Sequence, residues 1–79
     1  MKQFNVQLTS INDVKQFVNA ACAQNCDIDI VCGRYIIDAK SIMGIFSVDL
    51  AKPIGVEVRG SEDDAAAFCE QVKAFIVNG

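Results

Sequence analysis

Apolar and polar side chains alternate at the start of the chain. Phe4, Val6 and Leu8 are apolar, whereas the residues between them are an asparagine and a glutamine. A period of two is typical of a strand with one buried and one exposed face, so this pattern predicts a first strand over residues 4–8. The same alternation predicts two further strands, over residues 28–32 and 54–58.

A two-residue break, Gly33-Arg34, follows the second of these strands. Glycine readily adopts the positive φ that the first position of a type II′ turn requires, so this break favours a hairpin between two antiparallel strands. We therefore predict another strand over residues 35–38, directly after the turn.

The first helix is indicated by a change in the spacing of apolar residues after Ser10. These residues now recur every three or four positions, which predicts a helix over residues 11–23. Ser10 is a good N-cap residue, and Asp13 stands where a capping box usually has glutamate.

Two later segments also have helical patterns, and each begins next to a serine. Ser41 precedes a short apolar helix that contains Gly44, an interior residue that weakens a helix. Ser61 precedes three acidic residues, which favour the positive end of a helix dipole, and then a long apolar stripe. We expect that stripe to end with Phe75 and Ile76.

The predicted order of elements is β-α-β-β-α-β-α, which indicates an α+β fold. Amphipathic helices and half-buried strands bury most apolar surface when the helices cover one face of a four-stranded antiparallel sheet. The first helix is expected to make a right-handed crossover, with the fourth strand lying between the first and the second. We expect residues 1–79 to form one domain, because so short a chain supports one core.

Composition and charge disfavour several classes of function. The net charge is −3 and the pI is near 4.6, so nucleic acid and anionic membranes are poor electrostatic partners. No apolar run is long enough to span a bilayer, and the first residues lack the apolar core of an export signal. We therefore expect a cytoplasmic protein that binds neither nucleic acid nor membrane.

The cysteine pattern gives little support to a metal site or to disulfides. The chain has four cysteines and no histidine, and none of the cysteines has Cys-x-x-Cys spacing. We expect four reduced thiols in the cytoplasm, no metal and no cofactor. Metal binding through these cysteines stays open as a minor alternative.

Residues 39–48, which read AKSIMGIFSV, carry a resemblance to a known family. They resemble the regulatory-serine region of HPr, the phosphocarrier of the bacterial sugar phosphotransferase system, and the run Lys-Ser-Ile-Met-Gly is the specific part. The resemblance continues in the first strand, in Phe17-Val18, in the Gly33 hairpin and from the fourth strand through Gly60. It implies the HPr-like open-faced β-sandwich, which agrees with the element order predicted above.

The loop after the first strand departs from the family pattern. In HPr this loop carries a histidine that accepts phosphate, then an arginine and a proline. Here the loop is shorter, and Ser10, Asn12 and Asp13 lie near those three places. Because a serine hydroxyl needs a nearby base to become a nucleophile and none is evident, we interpret Ser10 as an ordinary N-cap. An unusual carrier that uses Ser10 stays open as an alternative.

The resemblance implies a modification site at Ser41. In HPr of many Gram-positive bacteria the matching serine is phosphorylated by an ATP-dependent kinase, and the product is a corepressor for a catabolite-control regulator. Capping of the short helix is a second explanation for Ser41, and the two roles do not exclude each other.

A docking surface is expected on the short helix. Its apolar residues fall on more than one face, so some of them must be exposed. In the family the matching apolar side chains form an exposed docking patch. The candidate docking residues are Lys40, Ile42, Met43 and Phe46. The alternative is that this segment is core, built on Ile45, Val48 and Leu50, with the other residues covering it.

Together these observations predict a regulatory, protein-binding member of the HPr family that is not an enzyme and cannot carry phosphate on histidine. The partners implied by the resemblance are HPr kinase, a catabolite-control regulator and components of the phosphotransferase system. One alternative is a degenerate paralogue that acts only as an unmodified interaction domain. The other is the Ser10 carrier.

Overall fold

The computed structural model describes residues 2–77. Its elements are β1 (Lys2–Val6), α1 (Ile11–Cys22), β2 (Ile28–Cys32), β3 (Tyr35–Asp38), α2 (Ile42–Phe46), β4 (Ile54–Val58), α3 (Glu62–Val72), a 3₁₀ turn (Lys73–Phe75) and β5 (Ile76–Val77). From β1 to α3 this is the predicted order. The predicted first strand is shifted, since β1 starts at Lys2 and ends at Val6, although Leu8 is still buried.

The strands form one antiparallel sheet in the order β3-β2-β4-β1-β5. As predicted, β4 lies between β1 and β2. The turn between β2 and β3 has a positive φ of 61° at Gly33, and no other residue in the range 2–77 has a positive φ. A positive φ at the first turn position and not at the second matches the predicted type II′ turn.

The core lies between one face of the sheet and the two longer helices. Alternate strand residues point into it, so Ile28 and Ile30 of β2 are fully buried while Asp29 between them lies on the other face. In the same core Phe17 of α1 meets Phe68 of α3 edge to face, with ring centroids 5.5 Å apart. Burial of each such side chain contributes about 1.5–3 kcal/mol to the free energy of folding. The packing of α1 and α3 on this face of the sheet therefore stabilises the α+β fold.

The end of the chain differs from the prediction. The helical stripe was expected to include Phe75 and Ile76, but α3 ends at Val72 and a single 3₁₀ turn follows. Ile76 then pairs with Val6, which makes β5 a fifth strand where four were predicted. Ile76 and Val77 are both β-branched, and such residues favour an extended backbone. The edge of β1 also offers them backbone hydrogen-bond partners, which would stay unused if the helix continued. The helical spacing of apolar residues therefore extends past Val72, where α3 ends.

Candidate functional site

Ser10 caps α1 at the exposed end of the loop after β1. Its Oγ accepts a hydrogen bond from the backbone N–H of Asp13 at 3.1 Å. The Asp13 carboxylate accepts from both the backbone N–H and the hydroxyl of Thr9, at 3.0 and 2.9 Å. Half of the predicted capping box is therefore present, the bond from the N–H of Asp13 to Ser10. The other half is shifted by one residue, because the Asp13 carboxylate bonds mainly to Thr9 and not to the N–H of Ser10.

The electrostatics of this loop do not suit a phosphate acceptor. The hydrogen bonds from Thr9, with smaller contributions from Ser10, hold the pKa of Asp13 below its usual value. A carboxylate with a lowered pKa is a weak base, so it is poorly suited to activate the Ser10 hydroxyl. Its negative charge also opposes an incoming phosphate at the same helix end.

A surface groove of about 460 Å³ joins this loop to the end of α2. Its lining residues are Gln7, Leu8, Thr9, Ser10, Ile11, Phe46, Leu50 and Ala51. Its two sides are connected by the Gln7 side-chain amide, which donates to the carbonyl oxygen of Leu50 at 2.9 Å. The structure therefore brings Ser10 and Phe46 to one groove, although they are far apart in sequence.

Ile11 is a groove residue that the sequence analysis missed. It is the first residue of α1, and 64% of its surface is exposed. An apolar residue placed directly after an N-cap lies at the end of the helix, where it has little access to the core. The place of Ile11 directly after the N-cap Ser10 could therefore have predicted that its side chain is exposed.

Ser41 is exposed and caps α2, as predicted. Its Oγ accepts from the N–H of Gly44 at 3.2 Å, and its own N–H donates to the carbonyl oxygen of Asp38 at 3.0 Å. The hydroxyl is therefore held at the surface by the hydrogen-bonded turn between β3 and α2. The short helix lies close to the sheet, because a Cβ added at Gly44 would come within 2.6 Å of Cγ2 of Ile37.

The predicted docking residues of α2 differ in exposure. Met43 is 77% exposed and Phe46 is 43% exposed, while Ile42 is half-buried against the core. Ile45 is fully buried, as the alternative interpretation expected for that residue. The helix is thus anchored by one face and presents Met43 and Phe46 on the other.

Lys40 is half-buried and its side chain is engaged within the protein. The ammonium donates to the carbonyl oxygen of Gln24 at 3.2 Å, just beyond the C-terminal end of α1. Its backbone N–H donates to Oδ1 of Asp38 at 2.8 Å. A cation in this place is favoured by the negative end of the α1 dipole, so Lys40 joins the turn before α2 to the end of α1.

Comparison with known proteins gives the family. The family model described as the PTS HPr component phosphorylation site matches residues 10–78. The chain belongs to the HPr family. HPr proteins are phosphocarriers that interact with other proteins of the phosphotransferase system.

Two solved structures resemble this HPr-family chain over nearly its whole length. The phosphocarrier protein HPr from Bacillus anthracis is 29% identical, with a TM-score of 0.70, and the match covers 94% of this chain and 95% of that one. HPr-C-His from Thermoanaerobacter tengcongensis is 22% identical, with a TM-score of 0.73, and the match covers 94% and 93% of the two chains. These matches confirm the HPr-like fold. No curated protein gives a significant match.

This HPr-family chain contains no histidine, so it has no side chain that could form a phosphohistidine. Within residues 2–77 there is no group of three or more acidic, cysteine or histidine side chains arranged to hold a metal ion. In the same range no helix is both long enough and apolar enough to cross a membrane.

Proposed function

We propose that this HPr-family protein regulates partner proteins by docking through an apolar surface beside α2, and that phosphorylation of Ser41 switches this docking. The docking surface consists of Ile11, Met43 and Phe46. The observation that carries the proposal is that α2 is anchored through a buried Ile45 yet leaves Met43 and Phe46 exposed beside an exposed serine.

The docking surface has the chemistry of a protein contact. A flexible methionine and a large aromatic side chain are enriched at recognition surfaces because both bury much apolar area. Ile11 and Phe46 line the same groove, so an apolar side chain of a partner could insert between them. Half-buried Ile42 and Lys40 lie beside this surface and remain docking candidates at its margin.

Phosphorylation at Ser41 would change the surface without unfolding the protein. The hydroxyl is exposed, and a phosphate would add a charge of about −1.5 to −2 beside Met43. The N–H of Gly44, which now donates to Oγ, could donate to a phosphate oxygen instead. New charge next to an apolar surface alters both complementarity and desolvation, so partner choice would change.

A second candidate is an HPr paralogue that only binds partners and is never modified. The capping bond from Gly44 to Ser41 favours it, because this bond alone explains a serine at that position. The two candidates share the docking surface and differ only in the switch.

Partner binding tests both the docking surface, which the two candidates share, and the switch, in which they differ. We expect a catabolite-control regulator, titrated in a calorimeter, to bind the Ser41-phosphorylated protein at least about tenfold more tightly than the unmodified one. Phe46→Ala should weaken this binding while leaving the circular dichroism spectrum unchanged. Tyr35→Ala removes an aromatic side chain from the far end of β3 and is the matched control. An unfolded Phe46→Ala variant would show that this side chain belongs to the core.

The Ser10 carrier is tested separately. We expect no acid-labile phosphate on the protein after incubation with phosphoenolpyruvate and the first enzyme of the phosphotransferase system. Because a phosphoserine is acid-stable, intact mass should be measured as well. A phosphate that disappears in Ser10→Ala would establish the carrier and refute a purely regulatory role.

A further inference from the structure

The outer edge of β3 is free of strand pairing in the part of the chain that the structure describes. Within residues 2–77, β3 pairs with β2 alone and forms one border of the sheet. Sheet edges are usually protected by lysine, proline or a bulge, but β3 reads Tyr-Ile-Ile-Asp. Tyr35 is 72% exposed and Ile36 is 64% exposed. This strand therefore offers both backbone groups and apolar side chains to another strand.

The register of β3 fixes which backbone groups are free. The N–H of Ala39 donates to the carbonyl oxygen of Ile28 at 2.9 Å, so these two residues form a hydrogen-bonded pair. Such pairs alternate along an antiparallel ladder, and Val31 opposite Ile36 is therefore a non-bonded pair. It follows that the N–H and C=O of Ile36 point away from β2, toward the open edge.

The charges beside this edge are self-complementary. Asp38 lies two residues after Ile36 in β3 and therefore on the same open face of the sheet, while Arg34 is the second residue of the turn that precedes β3. Within the described chain neither Arg34 nor Asp38 forms a salt bridge, and Asp38 lies directly opposite another acid, Asp29. Asp29 is paired with Arg59 at 2.7 Å, whereas Asp38 accepts a backbone hydrogen bond from Lys40 and has no ion pair within residues 2–77. A cationic side chain on its other side would supply one.

We propose that two copies of this chain associate through antiparallel pairing of their β3 edges, with Ile36 of each copy opposite Ile36 of the other. This two-fold arrangement places Arg34 of one copy opposite Asp38 of the second copy, twice per dimer. It joins two five-stranded sheets into one continuous sheet and buries the two Ile36 side chains against each other. The strand is short, so the dimer is weak and forms at high protein concentration.

Charge reversal tests the register of the dimer. Sedimentation from about 20 µM to about 1 mM should show reversible dimerisation of the wild-type protein. Arg34→Glu and Asp38→Lys each set like charges opposite each other at two places, so each should raise the Kd at least about tenfold. Lys15→Glu makes the same charge change as Arg34→Glu on an exposed part of α1 and should leave the Kd within about twofold.

Mixing the two variants gives the decisive outcome. In a complex of one Arg34→Glu chain with one Asp38→Lys chain, both charge pairs are attractive again, so the mixture should dimerise with a lower Kd than either variant alone. Circular dichroism checks that Asp38→Lys, which loses the hydrogen bond from the N–H of Lys40, is folded. Failure of the folded mixture to associate would overturn the proposal, as would a Kd equally sensitive to Lys15→Glu.

Amide exchange locates the contact independently of these variants. The N–H of Ile36 should become protected from exchange as protein concentration rises, while the N–H of Ile37, which faces β2, should be protected at every concentration. A protein that stays monomeric to about 1 mM, with Ile36 unprotected throughout, would refute the proposal. Protection of Ile36 only by an added extended peptide would show that the edge takes another protein instead of a second copy.

Discussion

The ammonium of Lys40 lies 3.2 Å from the carbonyl oxygen of Gln24, to which it donates a hydrogen bond. This bond connects the residue before Ser41 to the segment just beyond the C-terminal end of α1. The turn that precedes α2 is therefore tied to the end of α1 by a residue whose side chain is engaged within the protein. Its effect on stability can be measured directly.

We predict that Lys40→Met lowers the free energy of unfolding by about 1 kcal/mol, because the cation at the end of α1 and its hydrogen bond are both lost. Lys52→Met removes an exposed lysine that forms no hydrogen bond or salt bridge within residues 2–77, and it should change stability by less than about 0.5 kcal/mol. Urea denaturation measures both. Equal effects of the two substitutions would contradict the structural role of Lys40.

Gly44→Ala should destabilise the protein by about 1–3 kcal/mol, although alanine is the better helix former by about 1 kcal/mol. The added Cβ would lie 2.6 Å from Cγ2 of Ile37, so α2 would have to move away from β3. Ile37→Leu removes that branched methyl group. In a double-mutant cycle the two substitutions should therefore cost less together than the sum of their separate effects, and simple additivity would argue against the contact.

Asp13 should contribute a pH-dependent part of the stability. Its pKa is lower in the folded protein than the usual 3.8, because Thr9 donates two hydrogen bonds to the carboxylate. Its contribution is therefore present above the unfolded value and is lost as the pH falls through the folded value. The stability difference between wild type and Asp13→Asn should shrink as the pH is lowered below about 4. A stability difference that stays constant as the pH falls would contradict this contribution of Asp13.

Local patterns in the sequence were sufficient to predict most of the fold. Alternation predicted β1, β2 and β4, and the Gly33 turn predicted β3. Ser10, Ser41 and Ser61 were recognised as N-caps because capping depends on residues only three positions apart. The short strand β5 was missed, since Ile76 also fits a helical stripe and its pairing with Val6 depends on a distant edge. Local patterning carries no information about such a contact.

The exposure of three candidate residues could be predicted from the sequence, whereas their arrangement could not. The segment AKSIMGIFSV, residues 39–48, pointed to Ser41, Met43 and Phe46, and the structure leaves all three exposed. The groove that joins Phe46 to Ile11, and the inward bond of Lys40, depend on packing between elements far apart in sequence. Neither could be inferred from periodicity or spacing.

Phosphorylation by an HPr kinase with ATP tests the regulatory account most directly. We predict that intact mass shows the addition of one phosphate to the wild-type protein, that peptide mapping places it on Ser41, and that Ser41→Ala abolishes it. Ser47→Ala, which removes the exposed serine at the other end of α2, should be phosphorylated like the wild type. A wild-type protein left unmodified by the kinase, or modified equally in Ser41→Ala, would contradict the proposal that Ser41 is the switch.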